Sequence, residues 1–449
     1  MPQRHRQILI AVFFLALSLV YVFRLRAAAR SHGSLSWIRQ GREYGDGDAM
    51  NATLGFGEIL VINLPSRRDR RDVISLAGSV SNLNFTFIEG VKGGDGETEA
   101  PPSAGARGSW RSHRNALQDI VDRDLGSVLV LEDDVDWDVR LKSQMQTFAR
   151  ASRTWLGIWR RRRRQQDSNS EAGSRIPSSG SSASAALESE DGGASSSESD
   201  TVSLSLSLSS SLLSTAAGRG IPTLDESPYG DDWDVLWLGH CGADLPTAAP
   251  PPSLKIAIFD DATVPAPKHL VPHPFALRDE LAGAFPPHTR VVHAARGNVC
   301  SLAYAVSRRG ERKLLARSGR DGFVAQWDLM LRDYCMERRG YEGGGGEDGE
   351  AEEEEDEETV GNGGFVCLTV QPPLISHRYA GREGADGGGG GGSGASTSDI
   401  KGQGGGFARS KKGTPYVRLS VQENLRRLAD GSSGGRLVDQ LPDDGDTLW

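Results

Sequence analysis

Short apolar, β-branched runs recur along the chain between polar or glycine-bearing stretches, and each has the length of a strand rather than a helix. Glu58–Leu64 (EILVINL) ends in a polar turn, the pattern of a strand buried on both faces of an α/β sheet. Arg67–Leu76 then has helical spacing. Phe85–Glu89 is a second short strand, followed by a glycine-rich loop through Gly96, a helix over Ser109–Asp124 and a third strand at Ser127–Leu131 (SVLVL). Further on, Trp233–Leu238 and Ser301–Val306 read as strands, Ser307–Arg317 as a helix, Phe365–Ile375 as strand-like and Ser420–Leu428 as a helix. Strands alternating with helices predict an α/β core with a largely parallel sheet.

Three stretches interrupt this pattern. The range 165–220 is dominated by Ser, Gly and Glu and lacks the apolar surface to order itself, and 343–364 and 381–406 are further low-complexity breaks. At the other extreme, Ile8–Phe23 is apolar except for Ser18 and is flanked by arginines on both sides. At ~1.5 Å per residue it is somewhat short of the ~30 Å hydrocarbon core, so an uncleaved signal anchor and a cleaved signal peptide are both open. Arginines interleaved with Ala27–Ala29 suit peptidase recognition poorly, which favours the anchor. The expected organisation is a cytoplasmic tail and transmembrane anchor over 1–26, a polar stem over 27–56, an α/β body over 57–430 and a tail over 431–449.

Composition changes the picture in two ways. Glycine contributes 56 of 449 residues, well above the ~7% usual in globular proteins, so the ordered part is shorter than the chain. The formal charge of −9 disfavours a nucleic-acid partner, and much of it lies in the run from Glu350 to Glu358 rather than on a folded face. Cys241, Cys300, Cys335 and Cys367 permit three complete pairings in an oxidising lumen. Two sequons, Asn51-Ala52-Thr53 and Asn84-Phe85-Thr86, are compatible with the same compartment.

The sharpest chemical feature is the acidic cluster Glu132-Asp133-Asp134, placed where an apolar strand leaves the sheet. Strand alternation puts Glu132 and Asp134 on one side and Asp133 on the other, so a pair could face one hard cation while Asp133 orients a neighbour or a ribose hydroxyl. In open α/β sheets ligands bind at that edge; a solvated acidic turn is the plain alternative. Asn63 and the arginines Arg67, Arg70 and Arg71 follow the first strand, and guanidinium forks match diphosphate oxygens as well as they match surface carboxylates. Gly108 to His113 reads as a small-residue turn opening a helix, where Ser112 and His113 would hold phosphate or cap the helix. His377 could add a nitrogen ligand to the cation, or be structural.

Taken in order, these pieces resemble glycosyltransferase family 25, which includes lipopolysaccharide and collagen galactosyltransferases. The resemblance rests on Ile62–Leu64 with Arg67 and Asp69–Arg71, on Gly108, Ser112 and His113, and on Glu132–Asp134. It continues through WDVLWLGHCG from Trp233, AYAVSRRGERKLL from Ala303, and Asp328 in WDLML. It implies a GT-A-like (Rossmann-like) fold, a UDP-sugar donor with galactose as the sugar by family analogy, a divalent metal (Mn²⁺ or Mg²⁺) and inversion at the anomeric carbon. On that footing Glu132, Asp134 and His377 are the expected metal ligands. Asn63, Arg67, Arg70, Arg71, Ser112, His113 and Asp133 are the expected donor-binding residues. Asp328, placed after a helix and before an apolar turn, is the expected general base; helix capping and sugar-hydroxyl binding are its other readings. The acceptor is a glycan, glycoprotein or glycolipid, and the setting a single-pass type II protein of the Golgi or endoplasmic reticulum membrane with its body in the lumen. The competing reading is a luminal nucleotide-sugar or glycan-binding protein that kept the fold without transfer.

Overall fold

The computed structural model describes residues 49–93, 104–173, 201–204, 227–246, 253–270, 280–336, 364–379, 413–430 and 436–448. The apolar segment Ile8–Phe23, the stem up to residue 48 and most of the three low-complexity ranges lie outside them. Among the described residues no helix is long and apolar enough to cross a membrane.

The strands are β1 (Glu58–Asn63), β2 (Thr86–Glu89), β3 (Ser127–Glu132), β4 (Val135–Trp137), β5 (Thr201–Leu204), β6 (Val235–Gly239), β7 (Lys255–Ile258), β8 (Arg290–Ala294), β9 (Ala303–Ser307), β10 (Cys367–Gln371) and β11 (Ile375–His377). The helices that cover them are α1 (Arg68–Val80), α2 (Ala104–Asp122), α3 (Leu141–Gly173), α4 (Arg308–Asp321), α5 (Trp327–Met336) and α6 (Val421–Ala429). One sheet runs in the order β2-β1-β3-β9-β6-β10-β8-β7-β5, with β11 joining β6 to β4.

Period-two burial explains the layering. Along β1, Ile59 and Val61 enter one core while Leu60 enters the other; along β3, Leu129 and Leu131 separate from Val128 and Val130 in the same way. Helices α1 and α3 cover the first face with Ile74, Met145 and Phe148. Helices α2, α4 and α5 cover the second with Leu117, Ile120, Leu314 and Leu331. Each such fully buried side chain contributes about 1.5–3 kcal/mol.

The sheet is mixed rather than largely parallel. β1 pairs in parallel with β2 and β3, and β6 with β10, but β9 runs against both β3 and β6, and β8 against β10 and β7. Alternation of strands with helices does not encode direction, so the two reversed strands were not legible from the pattern. Their effect is local and decisive. Leu131 pairs with Ala303, so the residues entering β9 lie at the edge where β1 and β3 end, and Glu132 N–H donates to Leu302 O at 3.0 Å.

Two expected boundaries change. The range 165–220 is not wholly without secondary structure: α3 extends to Gly173, and Thr201–Leu204 forms β5 against β7, with Val202 and Leu204 packed on the core. Nor are residues 436–448 a separate tail, because Leu441 is buried and Gln440 donates to Thr414 O and Val417 O. The four cysteines pair as Cys241–Cys300 and Cys335–Cys367.

Asp136 ties the C-terminal segment to the acidic turn. Its carboxylate is fully buried and accepts from Thr414 Oγ1 at 2.7 Å, from Ser420 Oγ, and from the amides of Trp137 and Gln422 at 2.8 and 3.2 Å. Asp136→Ala would leave those donors buried without an acceptor. The expected loss is about 3–5 kcal/mol of unfolding free energy, measured by urea titration. A change below ~1 kcal/mol would show that the C-terminal segment is held by other contacts.

Candidate active site

Parallel pairing of β1 and β3, with Ile62 opposite Glu132, brings the ends of both strands to one edge. Asn63, almost fully buried, donates from Nδ2 to Asp133 Oδ2 at 2.7 Å and to Arg67 O at 3.1 Å. Arg70, in the first turn of α1, places Nη1 2.8 Å from Asp133 Oδ1 and 3.0 Å from Asp134 Oδ2. Antiparallel pairing of β11 with β4 then delivers His377, whose Nε2 lies 3.3 Å from Asp134 Oδ2. The next residue closes the turn, as Arg378 N–H donates to Asp134 O at 2.8 Å.

The expected alternation breaks at this point. β3 ends at Glu132 and the chain turns through Asp133-Asp134 into β4, so both aspartates meet the same guanidinium. Glu132 points elsewhere. Its Oε1 accepts from Ser301 Oγ at 2.8 Å and lies 3.6 Å from His113 Nε2.

Electrostatics divide the aspartate pair. Burial and the neighbouring Asp134 charge push Asp133 up to about 6, against the pull of Arg70 and Asn63. Burial would raise Asp134 as well, but His377 and Arg70 outweigh it and hold that carboxyl well below its ordinary range. The two titrate as a unit in which Asp134 ionises first. Two buried atoms, Asp134 Oδ1 in the turn and His377 Nδ1 in β11, have no hydrogen-bond partner among the described residues. A carboxylate oxygen and an imidazole nitrogen left this way are a donor set that suits Mn²⁺. Among the described residues no group of three or more His, Cys, Asp or Glu side chains gathers to hold a metal, because Glu132 turns away.

A second cluster adjoins the first through the Glu132–Asp133 peptide. α2 begins at Ala104, so Gly108–His113 lies inside the helix and does not open it. Gly108 is required by close packing, since a Cβ there would sit 2.5 Å from Val91 O. Ser112 locks the same contact: its Oγ donates to Gly108 O and accepts from Val91 N–H, both at 2.8 Å. His113, one residue on, faces the sheet edge. Its Nδ1 is 3.0 Å from Tyr304 Oη, its Nε2 3.4 Å from Ser301 Oγ, and its ring stacks on Trp327 at 5.5 Å.

Asp328 belongs to the first turn of α5, so the residues after it are helical and not a turn. Its Oδ2 accepts from Cys300 N–H at 2.8 Å. Burial raises the Asp328 carboxyl, the Cys300 amide opposes that, and the Glu132 charge raises it further. Cys300 itself is pinned by its disulfide to Cys241 and has φ of 65°, in the left-handed region.

Of the residues expected from sequence, Asn63, Arg70, Asp133, Asp134 and His377 form one cluster, and Glu132, His113 and Asp328 belong to the other. Arg67 meets the first cluster through its backbone, where its carbonyl accepts from Asn63, while its side chain pairs with Asp69 at 2.8 Å, and Arg71 lies over the Phe87 ring at 4.2 Å. Ser112 is buried in the helix–loop contact. Not assigned to the site from sequence were Cys300, named there as a disulfide cysteine, Ser301, Tyr304 and Trp327. Tyr304 carried a signal, being the one polar-tipped ring in an otherwise small and apolar strand; Ser301 had none.

Residues 56–175 match the family described as Glycosyltransferase family 25 (LPS biosynthesis protein). The chain is also similar to procollagen galactosyltransferase 2 of Homo sapiens, with 30% identity over 113 residues, 20% of this chain and 18% of the relative. Procollagen galactosyltransferase 1 of Danio rerio is 31% identical over 112 residues, 21% of this chain and 18% of the relative. Procollagen galactosyltransferase 2 of Mus musculus is 28% identical over 111 residues, again 20% and 18%. The matched stretch therefore covers less than a fifth of these relatives' own length. The family match over residues 56–175 contains Asn63, Arg70, His113 and the Glu132–Asp134 turn, whereas Ser301, Asp328 and His377 lie outside it and are placed by the fold. The segment 56–175, which carries the strand-end acidic turn, is thus similar to glycosyltransferase family 25.

Proposed function

We propose that this protein transfers a hexose from a UDP-sugar to a hydroxyl of a glycan, glycoprotein or glycolipid, with inversion and with help from a divalent metal. Galactose is the first donor to test, because the similar proteins are named galactosyltransferases. The observation that carries the reading is the meeting of two clusters at one strand edge, one cation-rich around Asp133 and Asp134, the other holding Glu132, His113 and Asp328. The two disulfides support a luminal setting, and a type II anchor in the Golgi or endoplasmic reticulum is part of the proposal.

Asp134 and His377 are the residues that would hold the metal, on the strength of the two buried atoms there that lack a hydrogen-bond partner among the described residues. When bound, the cation supplies charge neutralisation to the departing diphosphate. Arg70 bridges both aspartates, while Asn63 keeps Asp133 oriented. Transfer requires the acceptor hydroxyl oxygen to bond to the anomeric carbon as the bond to the diphosphate oxygen breaks. The hydroxyl proton goes to a carboxylate. Asp328 has that role here: one oxygen is fixed by the Cys300 amide, and burial raises its affinity for a proton. Glu132, turned to Ser301 and His113, is left out of the metal set.

Asp134→Asn keeps volume while removing the charge. It should weaken Mn²⁺ response and UDP-sugar affinity together and slow transfer by roughly 10³-fold. The measurement is a Mn²⁺ titration of transfer rate and of donor affinity in both proteins. Full activity in chelator, or an identical Mn²⁺ response, would remove the metal assignment.

For Asp328→Asn the expected pattern differs. Donor affinity and Mn²⁺ response stay near wild type, while kcat falls about 10²–10⁴-fold. A variant with unchanged kcat would place the base elsewhere, and one with lost donor affinity would make Asp328 a donor-binding residue.

A further inference from the structure

The two sequons take no part in the transfer chemistry, and the fold brings them together. Asn84 N–H donates to Ala52 O at 2.9 Å, so the loops Asn51-Ala52-Thr53 and Asn84-Phe85-Thr86 touch. Each loop leads into a strand, β1 or β2, and those strands run parallel. Both sequons therefore sit at the edge where β1 and β2 begin, while Asn63 and Asp133 lie where β1 and β3 end. With the six residues of β1 at ~3.3 Å each, the two edges are roughly 20 Å apart.

The side chains are disposed for modification. Asn51 is exposed, and its Oδ1 accepts from Thr53 N–H at 2.8 Å, Thr53 Oγ1 at 3.2 Å and Gly55 N–H at 2.9 Å. The amide oxygen is thus tied into its own loop, and Nδ2 makes no hydrogen bond among the described residues. Asn84 is also exposed, with no side-chain hydrogen bond among the described residues. Between Asn84 and Thr86, Phe85 turns inward to meet Trp137 edge-on at 6.0 Å and to pack on the core. Strand-like alternation then points Asn84 away from that core.

We propose that Asn51 and Asn84 are both N-glycosylated, forming a paired-glycan face on the sheet edge opposite the candidate active site. The donor is a lipid-linked diphosphate oligosaccharide. The bond between its anomeric carbon and the diphosphate oxygen breaks, a bond to Asn Nδ2 forms, the nitrogen loses one proton, and the lipid diphosphate leaves. This rests on the luminal placement and not on the transfer activity.

The test is expression of the full chain in cultured animal cells, followed by peptide-N-glycosidase digestion, gel mobility and mass spectrometry of the Asn-to-Asp conversion. Two mobility steps are expected. Thr53→Ala and Asn84→Gln should each remove one, and Thr53→Ser, which keeps both the sequon and the hydroxyl, should remove none. Maleimide labelling before and after reduction reports the compartment independently. Oxidised cysteines with either asparagine unmodified would overturn the paired face while leaving luminal placement intact. Cysteines that label without reduction would overturn both. The double variant should keep wild-type UDP-sugar affinity, and a tenfold loss would contradict a glycan face remote from the site.

Discussion

Two adjacent carboxylates in a buried turn cannot both ionise without a nearby cation, and Arg70 is that cation. Its Nη1 lies within 3.0 Å of both Asp133 and Asp134. At such distances a pair of unit charges interacts by about 4 kcal/mol at an effective dielectric of ~20, enough to decide the conformation of a short turn. Everything at the edge follows from that choice. The turn carries β3 into β4, β4 receives β11, and β11 brings His377 to the same aspartate. Asn63 completes the arrangement from the neighbouring strand.

The second cluster depends on the reversed strand β9. Because β9 runs against β3, its entry loop lies beside the end of β3, and Ser301 reaches Glu132 while Cys300 reaches Asp328. A parallel strand in that position would have put those residues at the opposite edge. The Cys241–Cys300 disulfide holds the loop, and the Trp237 indole adds a hydrogen bond to Cys300 O at 3.0 Å. α2 closes the cluster from the helical layer, with His113 between Tyr304 and Trp327. Glu132 and Asp133 are consecutive, so the two clusters are coupled by one peptide bond.

This coupling gives a physical sense to a family segment that covers so little of the chain. Residues 56–175 contain the paired strands, the arginine turn and the acidic turn, which are the parts whose relative positions are set by local pairing. The residues contributed from outside it, Ser301, Asp328 and His377, come on elements separated by low-complexity stretches. Their arrival depends on sheet order rather than on spacing along the chain.

What the sequence by itself determined was the set of elements and the edge. Apolar runs at EILVINL and SVLVL have the length and β-branched composition of buried strands, and carboxylates at the end of such a strand lie at the rim of the sheet; β1, β3 and α1 were legible for that reason. The helix start before Gly108 was not, because a glycine demanded by contact with Val91 looks the same in sequence as one that opens a helix. Only the tertiary structure decided the partners. Strand direction, the turn that breaks alternation after Glu132, and the separation of Glu132 from Asp134 arise from contacts between residues far apart along the chain, such as His377 against Asp134, 243 positions away, and a pattern of period two or 3.6 carries no information about them.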